Sequence, residues 1–316
     1  MSRESQEFDI DLSVGETGLV SEELKLELVL KEHKPHLYAY QKVGGLPSLV
    51  KYLEDKHQKH IAITSGCKQG IHACFQMMKQ RHKTQVNVVH PYWNVFRNTF
   101  EMYPFKVSNS FEKNIDSFNF IVSPNNPDGQ IFPYILKDTS SVSKTIDSYS
   151  NILLDNITVH DSVYNLDYFT DTVYNIGEIQ LYSCSKQLGL SGYRTGYAVC
   201  NNIEDKNYIS NYCEEVSVGT SSISQELVLE AFKVLDNTDT SGIKTKLLSN
   251  KNKIVQALQS YGDFKVSDGI FVYGKLHKPL PENVVVAHYM DDHVRINACV
   301  NESKIDEFVT ILNNHL

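Results

Sequence analysis

The stretch SCSKQLGLSGYRTG, residues 183–196, sets Lys186 behind small hydroxyl and thiol side chains and brings Arg194 in eight positions later. An amine is a nucleophile only when neutral, and an ordinary lysine, with a pKa of about 10.4, is protonated at neutral pH. Withdrawing it from water or placing positive charge beside it makes it reactive. Arg194 supplies charge and is also suited to two-pronged recognition of a phosphate. Ser183 and Ser185 add hydroxyls. A second stretch, SGCKQG at 65–70, follows an apolar run and opens a helical pattern, so Gly66, Cys67 and Lys68 would present backbone N–H groups and a positive helix end to an anion. Together the two stretches describe a phosphate held within reach of an amine.

Such groups need a frame. Short apolar runs at 61–64, 86–90, 118–123, 151–155, 178–183 and 196–200 alternate with helical patterns that begin near Pro47 and Gln69 and at about Ile223. This alternation predicts an α/β fold with a largely parallel sheet covered by helices. Ligands of such sheets gather beyond the carboxyl ends of the strands, and the unusual residues fall there. SGCK follows the first strand, PYW the second and SPNNP the third. Asp155 closes the fourth, NILLD, and SCSK follows the fifth.

From about residue 223 the pattern changes to a long helix, a polar helix near 246–260, the short strands FVYGKL, VVVAH and HVRIN, and a closing helix from Ser303. The expected division is an N-terminal arm with part of a small domain (1–44), a large domain (45–222) and a smaller α+β domain (223–316). The arm is expected to hold a helix at SEELKLELVLKEH behind a Ser21 cap, and 138–145 reads as a surface connection.

Bulk composition narrows the function. The 316 residues carry a net charge of −8, which disfavours a nucleic-acid surface. No apolar run reaches the ~20 residues that span a bilayer, and the polar start lacks the apolar core of a signal peptide, so a cytoplasmic location is expected. The six cysteines lie at 67, 74, 184, 200, 213 and 299 without CxxC pairs, which suggests reduced thiols and neither a metal site nor a disulfide framework.

SCSKQLGLSGYRTG resembles the signature of the fold-type I aminotransferases that use pyridoxal 5'-phosphate, the group that includes aspartate and histidinol-phosphate aminotransferases. Other segments follow in the family's order: YQKVGGLPSLVKYL, AITSGCKQGIHA, HPYWNVF, SPNNPDG, ILLD and HVRIN. The resemblance implies a seven-stranded, mostly parallel sheet. It implies that Lys186 forms the Schiff base with the cofactor aldehyde and moves a proton between substrate and cofactor, while Asp155 faces the pyridine nitrogen. Trp93 would stack on the ring and Asn126 would bond its hydroxyl oxygen, also bordering the substrate. Gly66, Cys67, Lys68, Ser183, Ser185 and Arg194 would hold the phosphate, with Tyr40 reaching it from a neighbouring subunit of a homodimer. Arg295 would clamp the substrate carboxylate.

The sequence departs from the family in two places. Three residues after Asp155, where a tyrosine is usual, stands Thr158; a competing register places Asp161 and Tyr164 in the Asp-x-x-Tyr positions. Only about seventeen residues separate Leu276 from Val294, where the family normally has a helix and a strand, so the small domain is trimmed. The implied reaction is transfer of an amino group between an L-amino acid and a 2-oxo acid by a ping-pong route. The alternatives are a decarboxylase or β-eliminating lyase with the same cofactor, or a non-catalytic binding protein on the same fold.

Overall fold

The strands form where apolar and β-branched residues are buried on both faces, the pattern of a sheet covered on two sides. The computed structural model describes residues 10–26, 37, 39–109, 111, 114–131, 156–171, 173 and 176–315. Within them β1 (Ile10–Asp11) and α1 (Gly18–Leu24) precede α2 (Pro47–His57), β2 (His60–Thr64), α3 (Cys67–Gln80), β3 (Gln85–Val88), α4 (Val95–Glu101), β4 (Lys106–Ser108) and β5 (Ser117–Val122). Then come β6 (Thr158–Asp161), β7 (Ile179–Ser183), the single helical turn α5 (Cys184–Gln187) and β8 (Gly196–Cys200).

Strands β2 to β8 make one seven-stranded sheet in the order β2-β8-β7-β6-β5-β3-β4. Only β8 runs against its neighbours, pairing antiparallel with β2 and β7. The other six strands therefore end on one edge, as a doubly covered sheet requires for a ligand site. Every residue of β5, β6, β7 and β8 is buried. Phe75 of α3 seats the helix on this sheet, its ring edge-on to Phe118 at 5.5 Å and Phe120 at 5.3 Å.

One strand differs from expectation. The place between β5 and β7 is taken by Thr158–Asp161, with Val122 opposite Asp161 and Asp161 opposite Leu181. NILLD, expected there, lies outside the described residues, as do Asp155 itself and residues 138–145. Two apolar runs stand in tandem, and apolarity does not separate them. The second carries the β-branched Ile157, Thr158 and Val159, which favour an extended backbone.

The remaining elements are α6 (Ile203–Ser217), α7 (Ser222–Asp236), α8 (Ser241–Ala257), β9 (Gly262–Lys265), β10 (Phe271–Leu276), β11 (Val284–Val285), β12 (Ala287–His288), β13 (His293–Asn297) and α9 (Glu302–Asn314). Four of these strands form a second, antiparallel sheet in the order β12-β13-β10-β9. The N-terminal segment is tied to this region, since β1 pairs with β11 and Asn297 N donates to Leu12 O at 3.0 Å. Its helix starts earlier than expected: Ser21 lies inside α1, its hydroxyl donating to Gly18 O at 3.0 Å, and Lys25 in a left-handed conformation ends it. The C-terminal part of the expected helix, from residue 27, falls outside the described residues. All six cysteines are buried, and no described helix is long and apolar enough to cross a membrane.

Candidate active site

Strand β7 ends at Ser183, and the turn of α5 then carries Lys186 into a cavity of about 270 Å3. Thr17, from the N-terminal segment, fixes that turn: its hydroxyl donates to the carbonyls of Ser185 and Lys186, both at 3.1 Å. Burial lowers the Lys186 pKa from its ordinary value, and the positive charges of Arg295 and Arg194 lower it further, against an opposing pull from Glu16. The ammonium form is thus disfavoured, which is what a nucleophilic amine requires.

One end of the cavity suits an anion. Gly66, with φ +78° and ψ 165°, turns the chain from β2 into α3, a backbone region open essentially to glycine alone. A Cβ there would lie 3.1 Å from Arg194 Nη2, so a side chain at this position would crowd the guanidinium. Arg194 Nη1 is held by Ser191 O at 2.7 Å and Ser185 Oγ at 3.4 Å. Cys67, Lys68, Ser183 and Ser185 line the same wall. The opening turn of α3, the guanidinium and the hydroxyls are groups of the kind that suit a phosphate.

A buried carboxyl group lines the cavity as well. Asp161, at the end of β6, is 6% exposed and lines the cavity. Its Oδ1 accepts from Val163 N at 3.3 Å and from the Cys67 thiol at 3.6 Å. Burial pushes its carboxyl up to about 6, although the Val163 N–H, the Cys67 thiol and Lys186 all act to lower it. Such a carboxylate is short of a cation and would be relieved by a protonated ring nitrogen. Tyr164, three residues on, also lines the cavity. Asp161 and Tyr164, the residues of the competing register, thus both line this cavity, while Asp155 lies outside the described residues. Thr158, expected at the ring oxygen, is absent from the cavity wall: it begins β6 and lies buried in the sheet, its N–H donating to the Glu178 carboxylate at 2.5 Å.

The third group is a buried guanidinium. Arg295 of β13 is 5% exposed and lies over the ring of Phe271 at 4.2 Å. Nη1 donates to Asn126 Oδ1 at 2.7 Å and to the Tyr289 hydroxyl at 3.4 Å, and Nη2 donates to Ser13 O at 2.8 Å. Its Nε is buried and has no hydrogen-bond partner among the described residues. A buried donor in that state calls for an acceptor. Trp93 lines the cavity as well, edge-on to Phe96 at 5.5 Å.

The fold thus gathers Gly66, Cys67, Lys68, Trp93, Asn126, Ser183, Ser185, Lys186, Arg194 and Arg295 at one place, although Gly66 contributes through its backbone. Tyr40 does not line this cavity and is 88% exposed. Sequence reasoning missed Val14, Gly15, Phe271 and Tyr289. Gly15 packs so closely on Phe271 that an added Cβ would lie 2.9 Å from its ring. A lone glycine in a loop gave no signal of that contact.

The sequence profile described as "Aminotransferase class I and II" matches residues 9–312. Among solved structures, Bna3p from Saccharomyces cerevisiae superposes with a TM-score of 0.75 at 17% identity, covering 96% of this chain and 90% of that one. LysN, an α-aminoadipate aminotransferase from Thermus thermophilus solved with N-(5'-phosphopyridoxyl)-L-leucine, gives 0.75 at 16% identity, covering 96% and 91%. At these identities the likeness is one of fold. An alliin lyase from Allium cepa var. aggregatum is 30% identical over 127 residues, which is 40% of this chain and 24% of that protein's length.

Proposed function

We infer the reaction from family and geometry together: this chain belongs to the class I and II aminotransferases, enzymes whose cofactor is pyridoxal 5'-phosphate. We propose that it moves an amino group from an L-amino acid to a 2-oxo acid in two half-reactions at the Lys186 cavity. The observation that carries this reading is the meeting in one cavity of an amine with a lowered pKa, a buried carboxylate and two guanidinium groups.

The residues fit the cofactor. The glycine turn at Gly66 and Arg194 would take its phosphate, Asp161 would face its ring nitrogen, Trp93 would cover the ring, and Lys186 would join the aldehyde carbon. When bound, the cofactor supplies an electron sink for charge that develops at the substrate Cα. Arg295 Nε is open to the substrate carboxylate, and its two other nitrogens are already fixed by Asn126 and Ser13, so little ordering remains on binding. Lys186 Nζ, whose ammonium form burial and the nearby guanidinium charges destabilise, takes the proton from the substrate Cα. The Val163 N–H and the Cys67 thiol hold Asp161 Oδ1 in place for its partner. Since donor and acceptor must use the same carboxylate clamp and the same amine, the donor's keto product leaves before the acceptor enters, which makes the kinetics ping-pong.

Exposure of Tyr40 outside its own cavity supports a homodimer in which that side chain reaches the partner's phosphate. A second reading, β-elimination at the same site, is favoured by the match to alliin lyase. Release of ammonia and a 2-oxo acid without any amino acceptor would choose it.

Borohydride reduction followed by peptide mass spectrometry tests the assignment. The pyridoxyl mass is expected on the peptide that contains Lys186, and Lys186→Ala should lose both the tag and turnover. A fully loaded protein tagged on a different lysine would defeat this reading.

A further inference from the structure

Two residues next to the Lys186 cavity lead to a second one. The turn that carries Asn126 also carries Asp128, and the tyrosine reached by Arg295 Nη1 is Tyr289. Both line a second and larger cavity, of about 1120 Å3, between residues 90–94, the turn at 128–130 and strands β9 and β10. Asn94 Nδ2 bridges its two sides by donating to His288 O at 3.1 Å.

The chemistry of this cleft is uneven. Arg97, Lys265, Lys275, Asp263 and Asp291 are exposed, three cations against two anions, all screened by solvent. Asp128 is the one lining side chain of formal charge that is buried, at 8% exposure. Its Oδ1 accepts from Asn125 Nδ2 at 2.8 Å and Gln130 N at 3.1 Å, bonds that close its own turn. Even so, burial holds its carboxyl above the usual range, with Lys265 acting only as a nearby charge. Beside it, Tyr273 and Tyr289 stand edge to face at 5.7 Å, and Tyr273 stacks on His293 at 5.2 Å. The Asp128 charge is felt by both tyrosines. A buried carboxylate next to tyrosine faces is the arrangement that holds an ammonium or guanidinium group, by charge-assisted hydrogen bonding on one side and cation–π attraction on the other.

We propose that this cleft receives the side chain of the amino donor and selects donors whose side chain ends in a cation, seated on Asp128 and against the rings of Tyr273 and Tyr289. The inference rests on the aminotransferase reading for its reaction, but the binding preference stands on the cleft alone. Tyr289 joins the two sites, with its hydroxyl at the carboxylate clamp and its ring in the cleft.

L-lysine and L-norleucine share a linear carbon chain and differ by the terminal ammonium, so their comparison isolates the charge. With the holoenzyme, the best of L-lysine, L-ornithine and L-arginine should exceed L-norleucine in kcat/KM by about 10- to 100-fold, the range of one desolvated charge-assisted bond. L-2-aminoadipate, with a carboxylate at the far end, should be the poorest. In Asp128→Asn, whose Oδ1 still accepts the turn's hydrogen bonds, the ratio of cationic donor to norleucine should fall close to one. A preference for norleucine or aminoadipate, or a ratio that survives in Asp128→Asn, overturns the proposal. Calorimetric binding of L-lysine and L-norleucine to cofactor-loaded Lys186→Ala, in which Asp128 is intact and the proton-moving amine is missing, decides the point without turnover. Tighter binding of lysine supports the cleft, and equal or weaker binding overturns it. Tighter binding there without amino transfer by the unsubstituted holoenzyme would refute the reaction and leave the cleft standing.

Discussion

The buried carboxyl of Asp161 lends itself to a thermodynamic test in the cofactor-free protein. Its pKa rises from the ordinary 3.8 to about 6 on folding. At about 1.4 kcal/mol for each pH unit, that gap costs the folded state roughly 3 kcal/mol when the group is ionised. The sign follows from proton counting. Between 3.8 and about 6 the folded chain binds the proton more tightly than the unfolded chain does, so stability rises as pH falls through this window and the full cost applies above it. Asp161→Asn removes the charge and keeps an oxygen to accept from Val163 N and the Cys67 thiol. Urea unfolding at pH 7.5 should therefore show the variant more stable by up to ~3 kcal/mol, with the advantage reduced by about half at pH 5. Pyridoxal 5'-phosphate should then stabilise the natural protein more than the variant, and the variant should lose most of its activity. A variant that is less stable at pH 7.5, by an amount that does not change with pH, would refute the argument. So would full activity in Asp161→Asn alongside an inactive Asp155→Asn.

Other consequences concern the two guanidinium sites and the subunit contact. Arg295→Lys keeps the charge but loses Nε, the donor left for the substrate carboxylate, and the planar group held by Asn126 and Ser13, so kcat/KM for the amino donor should fall on the order of 100-fold, mostly through KM, while cofactor affinity is retained. Gly66→Ala forces a side chain into a backbone region that disfavours it and against Arg194 Nη2 at 3.1 Å. At about 1–3 kcal/mol of strain, cofactor affinity measured by fluorescence titration should drop ~10-fold or more. Sedimentation equilibrium should give twice the 36.0 kDa chain mass, and Tyr40→Phe should weaken cofactor binding without lowering that mass; a monomeric, fully active enzyme would rule out the shared site.

Much of this was legible in the sequence, for reasons that differ from residue to residue. Lys186 and Arg194 stand within one short segment, where a helical turn and a tight loop fix their relation locally. The glycine at 66 announces a backbone conformation that other residues avoid. Apolar runs marked β2, β3, β5, β7 and β8 because burial on both faces leaves a continuous signal. The strand that carries the acid was not so marked. NILLD and ITVHD are both apolar enough, and the choice between them rests on which one pairs with Val122 and Leu181, contacts 39 and 20 residues away from Asp161.

By itself the chain determined its family, a resemblance confirmed over residues 9–312, and pointed to Lys186 and to the Gly66 and Arg194 segments as its chemical groups. Only the tertiary structure decided that Asp161 lines the cavity of Lys186, that Ser13 and Asn126 hold two nitrogens of Arg295, and that Asp128 and Tyr289 border a second cavity. The physical reason is range. Turns and helix openings are set by neighbours a few residues apart, whereas burial, pKa and cavity shape depend on side chains that meet only after distant segments pack.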